Sequence, residues 1–271
     1  MDLVFFYAAL ILYLGGTGGY LVLLFVQRAH ISAFATASTL GGLSLHTVAI
    51  LARLYLTGRP PLATVYEALS FFAWATALVY LFLEFRFQKK LMGSFVLPIV
   101  LLFTFIAAVV PKEGVGPDRV PGAWIWLHVG LVFLGTAAFA LTFCVGLMYL
   151  IQERLLKSKR LSPVLFRLPA LEFLDRLAYK TLAIGFPLLT AGLIVGAVQA
   201  HARWGSYFSS WDPTQVLSVI TWLIYAMLLQ ARLTAGWRGR KAAILSIIGF
   251  GALVMTVLGV NVMSRGLTAF H

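Results

Sequence analysis

The side chains best equipped for chemistry in this 271-residue chain are five histidines, one cysteine and one aromatic stretch. The histidines are His30, His46, His128, His201 and His271, and the cysteine is Cys144. The stretch reads Trp204-Gly-Ser-Tyr-Phe-Ser-Ser-Trp211-Asp212-Pro213. A neutral imidazole is a good ligand for transition metals. Trp204, Tyr207, Phe208 and Trp211 offer flat apolar faces to a large planar ligand, and Asp212 adds one carboxylate at the rim. Taken singly, each ring also suits the membrane–water boundary, where amphipathic aromatics collect. Cys144 has no partner for an internal disulfide, and no Cys-x-x-Cys is present, so thiol oxidoreductase chemistry is excluded. Within a long apolar run, its thiol reads as an inert buried group.

The elements that must carry these groups are set by composition. Hydrophobic residues make up 61% of the chain and charged residues only 11%, against about a quarter charged in soluble domains. The formal net charge is +12, but the basic residues sit in short loops between apolar runs. That pattern orients a membrane protein and does not form a nucleic-acid patch. Eight spans are expected, at 3–26, 33–55, 65–85, 91–110, 124–151, 181–200, 216–229 and 242–263. Backbone groups in lipid must be satisfied internally, so each span should be a helix. The expected fold is an all-α polytopic bundle in the lipid bilayer, with 1–271 as a single domain and the first run retained as a helix. Loops after spans one, three, five and seven carry fifteen Lys and Arg, and the opposite side carries five. The positive-inside bias then puts both termini, and the loop at 204–213, outside the cytoplasm.

Several groups gain meaning from these positions. Gly15-Gly-Thr-Gly-Gly19 in span one reads as a close-packing surface, and Pro98 as a kink in span four. His46 and Arg53 lie within span two, where ionisable residues face the bundle interior. Arg53 and Arg59 stand near the outer boundary with Glu67, and either guanidinium could fork onto a carboxylate. His128 lies just below the outer surface, beneath Trp124 and Trp126. His201 stands three residues before Trp204. The polar stretch 152–180 should be cytoplasmic. Its middle, 164–177, reads as an amphipathic surface helix or a contact for a cytoplasmic partner.

The stretch from Trp204 resembles the tryptophan-rich (WWD) signature of the CcsA/CcsB/ResC family, the haem-handling membrane proteins of cytochrome c assembly. That signature runs W-G-x-Y-W-x-W-D-P-K-E-T-W-x-L-I-T-W-L-I-Y-A. Trp204, Gly205, Tyr207, Trp211, Asp212, Pro213 and the run from Ile220 to Ala226 match it. The resemblance extends through Gly185-Phe-Pro-Leu-Leu-Thr190, Gly259-Val-Asn261 and, weakly, Pro61, Leu62, Tyr66 and Glu67. It implies non-covalent haem b at the outer face of an inner (cytoplasmic) membrane, with the aromatic loop on the periplasmic or equivalent side. It also implies a ResB-type partner subunit and an apocytochrome c that receives the haem.

The family places a histidine in a W-L-x-x-H-V setting as an axial haem ligand, which here is His128. His46 is either a haem ligand or a packed, hydrogen-bonded imidazole. Arg59, where relatives often have His, could meet a haem propionate. Three departures stand out. Gln230 occupies the place of the family's intramembrane histidine, and Thr268 that of its second outer ligand. The loop itself carries one extra residue between Tyr207 and Trp211. His271 and His201 are the substitutes for the second ligand, with His271 preferred.

Three functions follow. The first is a haem-binding component of cytochrome c assembly, part of a cytochrome c synthase (haem lyase) system with no catalytic side chain of its own. The second is a HemX-like regulator of haem synthesis that contacts a cytoplasmic enzyme through 152–180. The third is a structural membrane subunit that has lost haem.

Overall fold

The computed structural model describes residues 2–26, 28–58, 64–112, 123–158, 167–207 and 213–268, with side chains except at 123, 203–204, 213–214 and 257–268. These residues form eight α-helices and one 3-10 turn, with no strand among them. The helices are α1 (Asp2–Leu23), α2 (Ala29–Thr57), α3 (Val65–Phe87), α4 (Gly93–Val109), α5 (Ala123–Lys157), α6 (Leu171–Trp204), α7 (Pro213–Leu233) and α8 (Arg240–Thr268). The 3-10 turn is Lys90–Met92. Seven helices, α1 to α7, are long and apolar enough to cross a membrane. The eighth, α8, is 29 residues long and contains the last expected span. The chain is a multi-pass helical membrane protein. It divides into two compact units, one of residues 1–120 and 148–174, the other of 121–147 and 175–271.

In the first unit α1 packs on α2, α3 on α4, and α1 also on α4. The glycine-rich segment of α1 is a packing surface: a Cβ on Gly16 would lie 2.6 Å from Thr39 Oγ1, and one on Gly19 2.8 Å from Ala35 Cβ. Small residues allow such approach where lipid supplies no hydrophobic drive between helices. Several polar groups buried here are paired. Glu84 accepts from Tyr20 Oη at 2.5 Å, from Thr36 Oγ1 at 2.6 Å and from Tyr80 Oη. Thr64 and Glu67 form a reciprocal capping box that starts α3, satisfying otherwise orphaned amides. Helix α4 runs on through Pro98, which lies in its second turn.

The second unit is also built on close helix pairs. Antiparallel pairing of α5 with α6 follows from its contacts. A Cβ on Gly192 would meet Val132 Cγ2 at 2.7 Å, and one on Gly185 would meet Phe139 at 2.9 Å. Further along, Thr142 and Thr181 share a hydroxyl hydrogen bond of 2.8 Å. Phe139 stacks on Tyr225 of α7 with centroids 3.6 Å apart. Phe143 stacks on Phe250 of α8 at 4.5 Å. Thr221 of α7 and Thr256 of α8 are joined at 2.9 Å.

Two element boundaries differ from expectation. Helix α5 continues to Lys157, and α6 begins at Leu171, ten residues before the expected span. Residues 171–177 therefore belong to α6 and not to a separate surface helix, while 159–166 lie outside the described residues. The reason is a buried stripe at Leu174, Leu177, Ala178 and Leu182, whose helical spacing carries the long helix past its apolar stretch. Charged residues on the other face of this turn hid that continuity. Asp175, one of them, binds Arg232 at 2.5 Å and the Gly239 amide at 2.8 Å.

Candidate functional site

The site is best defined at the start of α5. His128 is the sixth residue of that helix, and its Nδ1 lies 2.7 Å from the Gly192 carbonyl oxygen of α6. A carbonyl only accepts, so Nδ1 carries the proton. In its neutral form such a ring presents Nε2 as a lone pair, and no described residue hydrogen-bonds to that nitrogen. Metal-binding histidines are commonly held this way: the second nitrogen donates to a fixed acceptor, which sets both tautomer and ring orientation.

Room for the ring is made by Gly196. A Cβ there would stand 2.6 Å from His128 Cε1 and 2.9 Å from Nδ1. Any side chain would displace the imidazole from the carbonyl. Helical geometry already bonds the Gly192 carbonyl to the amide four residues on, so His128 takes the second lone pair of that oxygen. Gln199 lies one turn beyond Gly196, and its Nε2 is buried without a partner among the described residues. Positions three apart share a helix face, so this spare donor belongs to the same side of α6. Trp124, four residues before His128, is exposed, as is Trp126.

Just past the end of α6, Gly205 adopts φ 71° and its amide bonds to the His201 carbonyl at 2.8 Å. A left-handed residue closing a helix in this way favours glycine. The chain turns there, and the Tyr207 ring meets the His201 ring edge-on, centroids 4.1 Å apart. Trp204 is the last residue of α6, and its side chain is not among those described. Trp211, Asp212, Arg59 and His271 lie outside the described residues. Pro213 opens α7, a position where its missing amide hydrogen costs nothing.

His46 belongs to the first unit and is fully buried. Its Nε2 lies 2.8 Å from Ser70 Oγ, and its Nδ1 lies 3.4 Å from Tyr13 Oη. Phe6 and Tyr13 pack edge-on to the ring. Both nitrogens are engaged, which is the geometry of a packed, hydrogen-bonded imidazole. Arg53 is a hub in the same unit. Its guanidinium reaches Glu67 Oε1 at 3.0 Å, Asp2 Oδ2 at 3.3 Å and the Lys112 carbonyl at 2.7 Å.

Among the described residues no three His, Cys, Asp or Glu converge as a metal site. Sites built from protein ligands alone draw on about four such groups. Residues that the sequence reading passed over include Gly192, Gly196, Gln199, Tyr13 and Ser70. One signal was available: Gly185, Gly192 and Gly196 recur at seven and four residues in one apolar run, the spacing of a close-approach seam.

The long apolar helices, together with an imidazole fixed at a helix end by a neighbouring carbonyl, define a polytopic membrane protein with a candidate cofactor site. Residues 62–268 match the cytochrome c assembly protein family, and the chain belongs to that family. It is 33% identical over 264 residues to the cytochrome c biogenesis protein CcsA of Pyropia yezoensis, covering 83% of this chain and 82% of that protein. It is 31% identical over 271 residues to CcsA of Guillardia theta, covering 93% and 90%. With CcsA of Synechococcus elongatus the identity is 31%, covering 81% of each. The fold is similar to that of the solved cytochrome c haem lyase CcmF, with a TM-score of 0.69 at 16% identity. That likeness covers 95% of this chain but only 46% of the lyase, so the chain spans under half its length.

Proposed function

We propose that the chain works in c-type cytochrome maturation as a membrane component that holds haem b non-covalently, with His128 as an axial ligand. The observation that carries this reading is the His128–Gly192 hydrogen bond, which makes Nδ1 the donor and leaves Nε2 without a partner among the described residues. The residues fit the group. Gly196 clears space for the ring, Gln199 has a spare buried donor on the same side of its helix, and the Tyr207 ring lies where the aromatic loop begins. Haem, when bound, supplies the iron and the vinyl carbons that react with apocytochrome thiols; the protein supplies position and environment. The second ligand is assigned to His271, with His201 the substitute. Trp204, Trp211, Asp212 and Arg59 are assigned to the haem rim.

The basic residues favour an orientation with the start of α5 and the aromatic loop on the outer face of the inner membrane. A ResB-type subunit and an apocytochrome c are the partners this arrangement would serve. The His128 variants test the proposal. Protein purified in detergent should carry a haem absorption band, and His128→Ala should lower its intensity or shift it. His30→Ala, in the first turn of α2, should leave it unchanged. Equal bands in wild type and His128→Ala would remove the assignment.

A further inference from the structure

We infer that the first unit carries a binding site for the phosphate headgroup of an anionic phospholipid. A cavity of about 360 Å³ is lined by Leu23, Arg28, Ser32, Lys89, Lys90 and Arg167, among others. That volume falls in the range of small-molecule pockets, roughly 300–1,000 Å³. Among the described residues no Asp or Glu lines it. Arg167 donates to the Leu24 carbonyl at 2.7 Å, which is the ordinary use of a cation at a helix C-terminus. The other three have no such task. Neither Arg28, Lys89 nor Lys90 donates to a carbonyl or carboxylate among the described residues; Lys89 only stands 5.8 Å from the Phe173 ring. Three like charges kept around a cavity repel one another, and an anion between them removes that cost.

The setting selects a lipid over a soluble anion. Every lining residue is at an end of a membrane helix: the end of α1, the start of α2, the end of α3, the turn into α4 and the approach to α6. Arg28, Lys89, Lys90 and Arg167 all come from the basic-rich loops, the side expected to face the anionic inner leaflet. Helix α2 starts there with no side-chain cap, so its first amides remain available as donors to phosphate oxygens. Leu21, Val22, Phe25 and Phe85 lie within about a turn of the lining residues and are exposed apolar groups. They provide a path for acyl chains beside a basic mouth, which is the pairing a phospholipid requires.

The test uses full-length protein in nanodiscs of phosphatidylcholine with a small fraction of phosphatidylglycerol. Retained phosphatidylglycerol is read by native mass spectrometry. A basic residue near an anionic surface contributes about fivefold in affinity. Lys89→Gln with Lys90→Gln should therefore lower phosphatidylglycerol retention by roughly 25-fold, while Lys89→Arg with Lys90→Arg retains it. Arg238→Gln with Lys241→Gln removes the same charge from the α7–α8 loop and the first turn of α8 and should leave retention within about twofold. Equal losses in the two glutamine pairs would show general surface attraction and overturn the site, as would no loss in either. Inorganic phosphate that competes as strongly as the lipid would also overturn it, by identifying a soluble anion as the occupant.

Discussion

Under the proposed function, haem binding turns on a single imidazole nitrogen. His128 points its Nδ1 hydrogen at Gly192 and leaves Nε2 open, and both conditions depend on Gly196 having no side chain. Gly196→Ala should thus act like a ligand mutation without touching the ligand. Outer partners of metal-bound histidines are worth about 10–100-fold in affinity, so the variant should lose most of its haem or show a shifted spectrum. Gly130→Ala is the matched control, because a Cβ there meets nothing within 4 Å; its haem content should equal wild type. For the second ligand, deletion of Phe270 and His271 should shift the absorption band, whereas His201→Ala should not. The reverse result would transfer the role to His201. At this scale the sequence singles out His128 because tryptophans and the family pattern surround it. It does not single out Gly196, since a glycine in an apolar helix looks alike whether it faces lipid, a helix or an imidazole.

Helices α5 and α6 show why the ring is so closely held. Gly135 and Gly185 bring their backbones together, and a Cβ on Gly135 would lie 2.9 Å from the Leu189 amide nitrogen. The same antiparallel register delivers Gly192 and Gly196 to His128. In the first unit, α3 begins at a capping box whose Glu67 also binds Arg53. Arg53→Met should take from the Glu67 carboxylate, which is 1% exposed, the guanidinium that lies 3.0 Å from it. Breaking such a buried pair costs about 3–5 kcal/mol. A lowered thermal midpoint in detergent should report it, and adding Glu67→Gln should recover part of the loss. If Arg53→Met melts with wild type, the pair is solvated and the network is not structural. The helices themselves were readable from apolar runs. Their ends were less so: α6 starts at Leu171 because one face remains apolar while the other becomes charged, and hydropathy averages those faces together.

At the level of the whole molecule, the fifteen-to-five division of basic residues between alternate loops predicts eight crossings with both termini outside the cytoplasm. A reporter active only in the cytoplasm should be silent when fused to either terminus and active when placed in the loop between α7 and α8. Activity at either end would overturn the orientation and move the aromatic loop to the inner face. The two units divide the chemistry legible in the chain. The first holds the paired groups His46, Arg53 and Glu84, while the second holds His128 and the approach to the tryptophan loop. His46 shows where sequence stops: an intramembrane histidine reads as a ligand or as a packed ring. Only the positions of Ser70 and Tyr13, 24 residues later and 33 residues earlier in the chain, reveal that both its nitrogens are engaged.

The most direct measurement is imidazole rescue of His128→Gly. The variant opens a cavity where the ring stood and removes its Nε2, while the Gly192 carbonyl remains to receive an N–H donor. Purified variant should show a haem band that is weakened or shifted, and added imidazole should restore it toward wild type by occupying the vacated place. A wild-type spectrum in His128→Gly without imidazole, or wild-type protein that takes up no haem at all, would contradict the account.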